Sequence, residues 1–167
     1  MAFAKEPRGA RTLRAAALAA LAVAAGPFGC GPKAAGPFLS GDRVELEVKG
    51  RKLAVEVACD PRSRQAGLMY RESLGESEGM LFIFPRPDRH GFWMANTYVP
   101  LSIAFLDDRG KILEVRDMRP KDTSHTVPRV VVRYALEVKQ GWFRRNGIEE
   151  GDAFERFPET VGRFRAR

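Results

Sequence analysis

The chain has 167 residues, 44% of them hydrophobic and 29% charged, which is the make-up of a globular protein and excludes a wholly disordered or collagen-like one. Its formal charge is +7, but Lys5, Arg8, Arg11 and Arg14 against Glu6 put +3 of this in residues 1–30 and leave +4 (7 − 3) for the rest. No Lys/Arg block or aromatic-interleaved basic stripe accompanies that excess, so the charge gives no ground for nucleic-acid binding.

Residues 1–30 read as a signal segment. Four basic side chains precede an apolar Ala/Leu/Val run over 15–25, shorter than the roughly 20 residues a membrane-spanning helix needs. That is the shape of a secretory signal. Gly26-Pro27-Phe28-Gly29 leads into Cys30, which resembles a bacterial lipoprotein box with Cys30 as the lipidated residue, although Pro27 stands where Leu is usual. Ala22-Val23-Ala24 offers an ordinary cleavage site instead. Residues 31–42 hold Pro32, Gly36, Pro37 and Gly41 and form a tether. The expected product is exported, periplasmic or on the outer surface, and anchored to a membrane by lipid on Cys30.

The domain spans 43–160, with a basic tail at 161–167. Val44, Leu46 and Val48, then Leu53, Val55 and Val57, alternate with mostly polar residues, which predicts a hairpin with one apolar face. Asp60-Pro61 predicts a helix N-cap and first turn, with the helix over 61–68. Residues 80–84 read as a strand stopped by Pro85 and Pro87. Residues 92–107 read as two strands joined by a corner at Asn96-Thr97. Strands follow over 111–117, 130–138 and 153–157, and a short helix over 141–147. The breaker-rich stretch 118–128 is a surface loop. Short strands spaced by turns, with two short helices, predict a mainly β, single compact sandwich or barrel-like domain.

Long motifs stand out in this frame: Gly67-Leu68-Met69-Tyr70-Arg71-Glu72-Ser73-Leu74, Glu78-Gly79-Met80-Leu81-Phe82-Ile83-Phe84-Pro85 and the run from Phe92-Trp93-Met94-Ala95-Asn96-Thr97 through Pro100 to Phe105. Tyr134-Ala135-Leu136-Glu137-Val138, Gly141-Trp142-Phe143, Gly147-Ile148 and Gly151-Asp152 complete the set. In this order they resemble the bacterial and archaeal family called domain of unknown function 192. The resemblance covers roughly 44–157. It implies a small, mainly β domain, often exported or membrane-anchored, and no particular activity. Ala95 stands where the family commonly has Lys, and the 120–128 region lacks the cysteine that some members carry.

No pattern assigns a catalytic residue, a metal or a cofactor. Cys59 precedes a helix start, which favours a thiolate, but it has no nearby second thiol, and a buried apolar role is the expectation. A Cys30–Cys59 disulfide requires an unacylated Cys30. His90, His125, Met69, Met80, Met94 and Met118 are soft or borderline metal ligands without ligand-like spacing. The pairs Glu72/Glu76, Asp107/Asp108 and Glu149/Glu150 lie at turns. Trp93, Met94, Thr97, Arg71 and Met69 are the candidates for a ligand- or partner-binding site, since an apolar floor with a few polar groups describes a small-ligand pocket. Asn96 is expected to lock the corner through its side-chain amide. The reading is therefore a tethered, non-enzymatic β-domain that binds a small ligand or an envelope protein. A hydrolase acting on an envelope polymer and a periplasmic metal-handling module are the alternatives.

Overall fold

The structure, a computed structural model, describes residues 42–166. The signal segment, the tether up to residue 41 and Arg167 lie outside the described residues. Six strands form one sheet: β1 (Arg43–Val48), β2 (Arg51–Ala58), β3 (Glu78–Asp88), β4 (Leu101–Leu106), β5 (Ile112–Met118) and β6 (Val132–Lys139). Their spatial order is β1-β2-β3-β6-β4-β5. Only β2 and β3 run parallel, and helix α1 (Pro61–Ala66) lies on the crossover between them. The fold is mainly β as the sequence predicts, but the sheet does not close into a barrel. Among the described residues there are three short helices, not two: α2 (Trp142–Arg145) and α3 (Phe157–Val161) join α1.

The hairpin follows from period-2 patterning. Val44 pairs with Val55 and Leu46 with Leu53, and all six predicted apolar residues of β1 and β2 are buried. Lys49 and Gly50 both take positive φ, 49° and 70°, the conformation that lets a two-residue loop match strand twist. Asp60 caps α1 by accepting from the backbone N–H of Arg62 and Ser63 at 3.0 Å each. Ser63 returns the bond to the Asp60 backbone N–H, closing a capping box. The helix stops at Ala66, two residues short of the predicted end, where Gly67 takes φ 46°.

Three expectations are corrected. β3 continues past Pro85 and Pro87 to Asp88. Its ladder with β6 is broken between Ile83 and Asp88, so the missing proline N–H groups forfeit no sheet bond. Residues 92–95 are not a strand; Phe92 makes only an isolated bridge to Thr126. Residues 153–157 are not a strand either: Ala153 bridges Lys111, and Phe157 opens α3. The start of the basic tail packs on the domain, with Phe164 buried in one cluster with Val161, Phe157 and Phe154.

Both faces of the sheet are covered, and this decides where the site lies. One face packs the hairpin side chains, Leu81, Ile83, Leu136 and Val138 against α2, α3 and Phe164. The other packs Met80, Phe82, Leu101, Ile103, Phe105 and Ala135 beneath Leu68, Leu74, Phe92, Met94 and Val99. Strand β4 is apolar and buried at nearly every position, as a strand covered on both sides must be.

Candidate functional site

On this second face the covering layer is made of α1, the segment after it, and the loops at 89–100 and 119–131. These loops are bound to each other by main chain. Phe92 and Thr126 exchange both bonds at 3.0 and 2.7 Å, Met94 N–H donates to Asp122 at 2.8 Å, and Lys121 N–H donates to Thr97 at 3.0 Å. The 118–128 stretch is thus a surface loop tied along its neighbour. Between α1 and the two loops opens a cleft of about 270 Å³.

Aromatic rings wall it. Phe92 meets Phe82 and Phe84 edge-to-face, with centroids 5.1 and 5.9 Å apart, the favoured quadrupolar geometry. At the rim Trp93, 45% exposed, stacks on His125 at 5.7 Å and 15°. Met69 and Thr97 complete the lining on the near side. Arg64 of α1 reaches over Phe84, its guanidinium carbon 5.4 Å from the ring centroid, and donates to the Ile83 carbonyl at 3.1 Å.

The floor carries Glu137. It stands on β6, and its register neighbours are Met80 on β3 and Ile103 on β4, both buried and apolar. The residue is 5% exposed, and among the described residues no group donates a hydrogen bond to its carboxyl. Burial pushes its pKa up to about 8, since desolvation disfavours the charged form. The group is therefore chiefly protonated at neutral pH. Strand alternation in the sequence assigns Glu137 to the polar side of β6; the loops above that side, not the local pattern, are what bury it.

The structure brings Trp93, Thr97 and Met69 of the sequence candidates together in the cleft, and it separates the other two. Met94 is 2% exposed, inside the core under the loop. Arg71 is engaged elsewhere: its Nη1 and Nη2 donate to both oxygens of buried Glu56 at 3.0 and 2.6 Å, with Arg43 adding a third bond at 3.1 Å. That bidentate pair ties the segment after α1 to β2. Glu137, His125, Phe84, Phe92 and Arg64 were not among the binding candidates; no short-range motif marks them, because they converge from five separate parts of the chain.

Asn96 is corrected as well. Its side chain is exposed, and none of its side-chain atoms makes a hydrogen bond to the described residues. Its backbone carbonyl supplies the tie to the Arg71 segment, accepting from Tyr70 N–H at 2.8 Å. Asn96 stands there because the turn needs φ 56°, a left-handed conformation that Asn tolerates better than most L-residues.

His90 stacks on Phe84 at 3.6 Å, and Met80, Met94 and Met118 are core residues. Among the described residues no cluster of three His, Cys, Asp or Glu could hold a metal ion. One carboxylate of each turn pair has a structural partner: Glu76 pairs with Lys139 and Arg145, Asp107 accepts from Arg109 and Lys111 N–H, and Glu150 accepts from Val115 N–H on the edge of β5. Among the described residues, Glu137 is the one acidic side chain lining the cleft. Cys59 is fully buried but is not a free thiol as expected; it is disulfide-bonded, with its partner outside the described residues.

Known proteins frame these observations. A crystal structure from Sinorhizobium meliloti 1021, described as a candidate transcription regulator, is 36% identical with a TM-score of 0.63, over 68% of this chain and 91% of that one. A protein of unknown function from Novosphingobium aromaticivorans DSM 12444 is 31% identical with a TM-score of 0.65, over 73% and 91%. No curated protein matches the chain. The model of domain of unknown function 192, described as an uncharacterised ACR, matches residues 44–155. That span takes in the cleft and all of the sheet but Arg43, and the chain belongs to the domain of unknown function 192 family.

Proposed function

We propose that this is an exported domain that binds a small ligand in the cleft between Trp93 and Glu137. The observation that carries the reading is a largely buried carboxyl that opens onto the floor of an aromatic-walled cleft and receives no hydrogen bond from the described residues. A core position would place an apolar residue there, because burying an unpaired polar group is costly. Ligand sites share this build, mostly apolar with a few converging polar groups. A single carboxylate in the cleft does not favour the glycan-hydrolase alternative, which needs two flanking the scissile bond. The regulator description of the Sinorhizobium protein is not carried over: α1, α2 and α3 have six, four and five residues, too short to lie along a major groove as recognition helices do.

Binding is tested by NMR on the two indole N–H signals, with phenethylamine, 2-phenylethanol and phenylacetate as probes. Trp93 lines the cleft while Trp142 is buried in the opposite core cluster. At least one probe should move the Trp93 signal and leave that of Trp142 in place. Trp93→Ala should abolish binding and change stability by no more than about 1 kcal/mol, as befits a half-exposed side chain. A Trp93 signal indifferent to all three probes would count against the cleft.

Export rests on the signal-like segment at 1–30 and gains support from the disulfide at Cys59, a bond that persists in oxidising compartments. The sequence holds two cysteines, and one sulfur cannot carry both a lipid thioether and a disulfide. A lipid anchor on Cys30 therefore requires Cys59 to pair with a thiol of another molecule. Mass analysis of the mature N-terminus, with a non-reducing peptide map, should show a chain beginning at lipidated Cys30; a Cys30–Cys59 peptide would end the anchor proposal and leave export standing.

A further inference from the structure

We infer that the cleft selects an amine: a small ligand whose protonated nitrogen pairs with Glu137 and whose apolar body lies against Phe82, Phe92 and Trp93. This deepens the binding reading above and rests on it. Among the described residues the floor offers a single carboxyl and no donor to it, so a ligand that holds Glu137 in its ionised form must bring the donor. An ammonium group brings N–H donors and the opposite charge, and charge-assisted hydrogen bonds of this kind are about twice as strong as neutral ones. The aromatic walls add a second attraction, since ring faces carry negative quadrupolar potential that favours cations. At pH 8 and above, where Glu137 is ionised, a carboxylate ligand would meet like charge at the floor, and at any pH a plain hydrocarbon would leave the carboxyl unpaired.

Two other groups that titrate or carry charge face this cavity: Arg64 from α1 and His125 from the 119–131 loop. On the sheet side the neighbours of Glu137 are Met80 and Ile103, neither of which titrates. Arg64 is drawn toward the Ile83 carbonyl and the Phe84 ring, and His125 lies flat on Trp93 at the rim.

Pairing with an ammonium requires ionised Glu137, so each ligand bound at neutral pH releases the carboxyl proton to the buffer. With the free group titrating near 8, amine affinity should rise roughly fiftyfold between pH 6 and 8, tenfold per unit while the acid form dominates. A ligand that only accepts a hydrogen bond from the neutral acid should show a flat profile over the same range.

The test is calorimetry of the purified chain with phenethylamine, 2-phenylethanol and phenylacetate at pH 6, 7 and 8. It is repeated in His125→Phe, which keeps the rim stack and removes the histidine titration. Phenethylamine should bind at least tenfold tighter than 2-phenylethanol at pH 8, with the predicted slope and close to one proton released at pH 7. Glu137→Gln should erase both the slope and the preference. If 2-phenylethanol or phenylacetate binds as tightly as the amine, or the slope survives in Glu137→Gln, the amine assignment is overturned while the cleft remains a binding site. If none of the three binds, both readings fall.

Discussion

Glu137→Gln should stabilise the unliganded protein at alkaline pH and leave it nearly unchanged at about pH 5. In the wild type burial raises the folded pKa from its ordinary 4.5 to about 8. The folded state therefore holds a proton that the unfolded state has released everywhere between those values. Stability conferred by this group is complete below the unfolded pKa and falls as pH rises toward the folded one, by about 1.4 kcal/mol per pH unit. Gln has nearly the same shape and no proton to lose. The difference between the two proteins should thus grow to the order of 4 kcal/mol near pH 8 and then level off. Asp60, Glu114 and Asp152 have pKa values shifted down, so they weaken both proteins alike on the acid side and cancel in the comparison. Urea melts of the pair at about pH 5, 7 and 8.5 measure this; parallel curves would show that the carboxyl is not desolvated in solution.

Val55→Asp should leave no folded protein at neutral pH. Val55 is fully buried, paired with Val44 on one side and lying beside Gly79 of β3 on the other. Nothing in that face of the core offers a partner to a carboxylate. An unpaired buried charge costs several kcal/mol, on top of the lost valine packing, against a total stability of roughly 5–15 kcal/mol for domains in general. Ala54→Asp is the control, because residue 54 is exposed on the other side of the strand; it stands opposite Glu45 and Glu78, so the like charges should cost about 1 kcal/mol and leave the protein folded. Circular dichroism separates them: loss of the β signal in Val55→Asp with its retention in Ala54→Asp is the expected result. The opposite pattern would place the strand one residue out of register, since a single slip exchanges the two faces.

The two variants probe different levels of the fold, and the contrast shows how far the amino-acid sequence reaches. The hairpin was legible because Val44, Leu46, Val48, Leu53, Val55 and Val57 repeat with the period of a strand, and Lys49-Gly50 suits a tight loop. The start of α1 was legible because Asp60, Pro61 and Ser63 form a local hydrogen-bonding unit. Family membership was legible because its motifs are long and ordered. All of these rest on residues a few positions apart.

Other features were decided at a distance. Pro85 and Pro87 remain in β3 because the β3–β6 ladder has already broken there. Residues 153–157 turn into α3 because Phe154, Phe157, Val161 and Phe164 bury together on one sheet face. Asn96 fixes the corner with its main chain, since the turn needs a left-handed residue more than a side-chain amide. The cleft is the largest such case. Alternation along β6 places Glu137 opposite Leu136 and Val138 but does not say what lies above it. The strand order sets it between Met80 and Ile103, and the paired loops at 89–100 and 119–131 then close over it. Sequence by itself determined the hairpin, the cap and the family. Only the tertiary structure turned an ordinary strand glutamate into a desolvated acid facing an aromatic cleft, because desolvation depends on what surrounds a group in space and not on its neighbours in the chain.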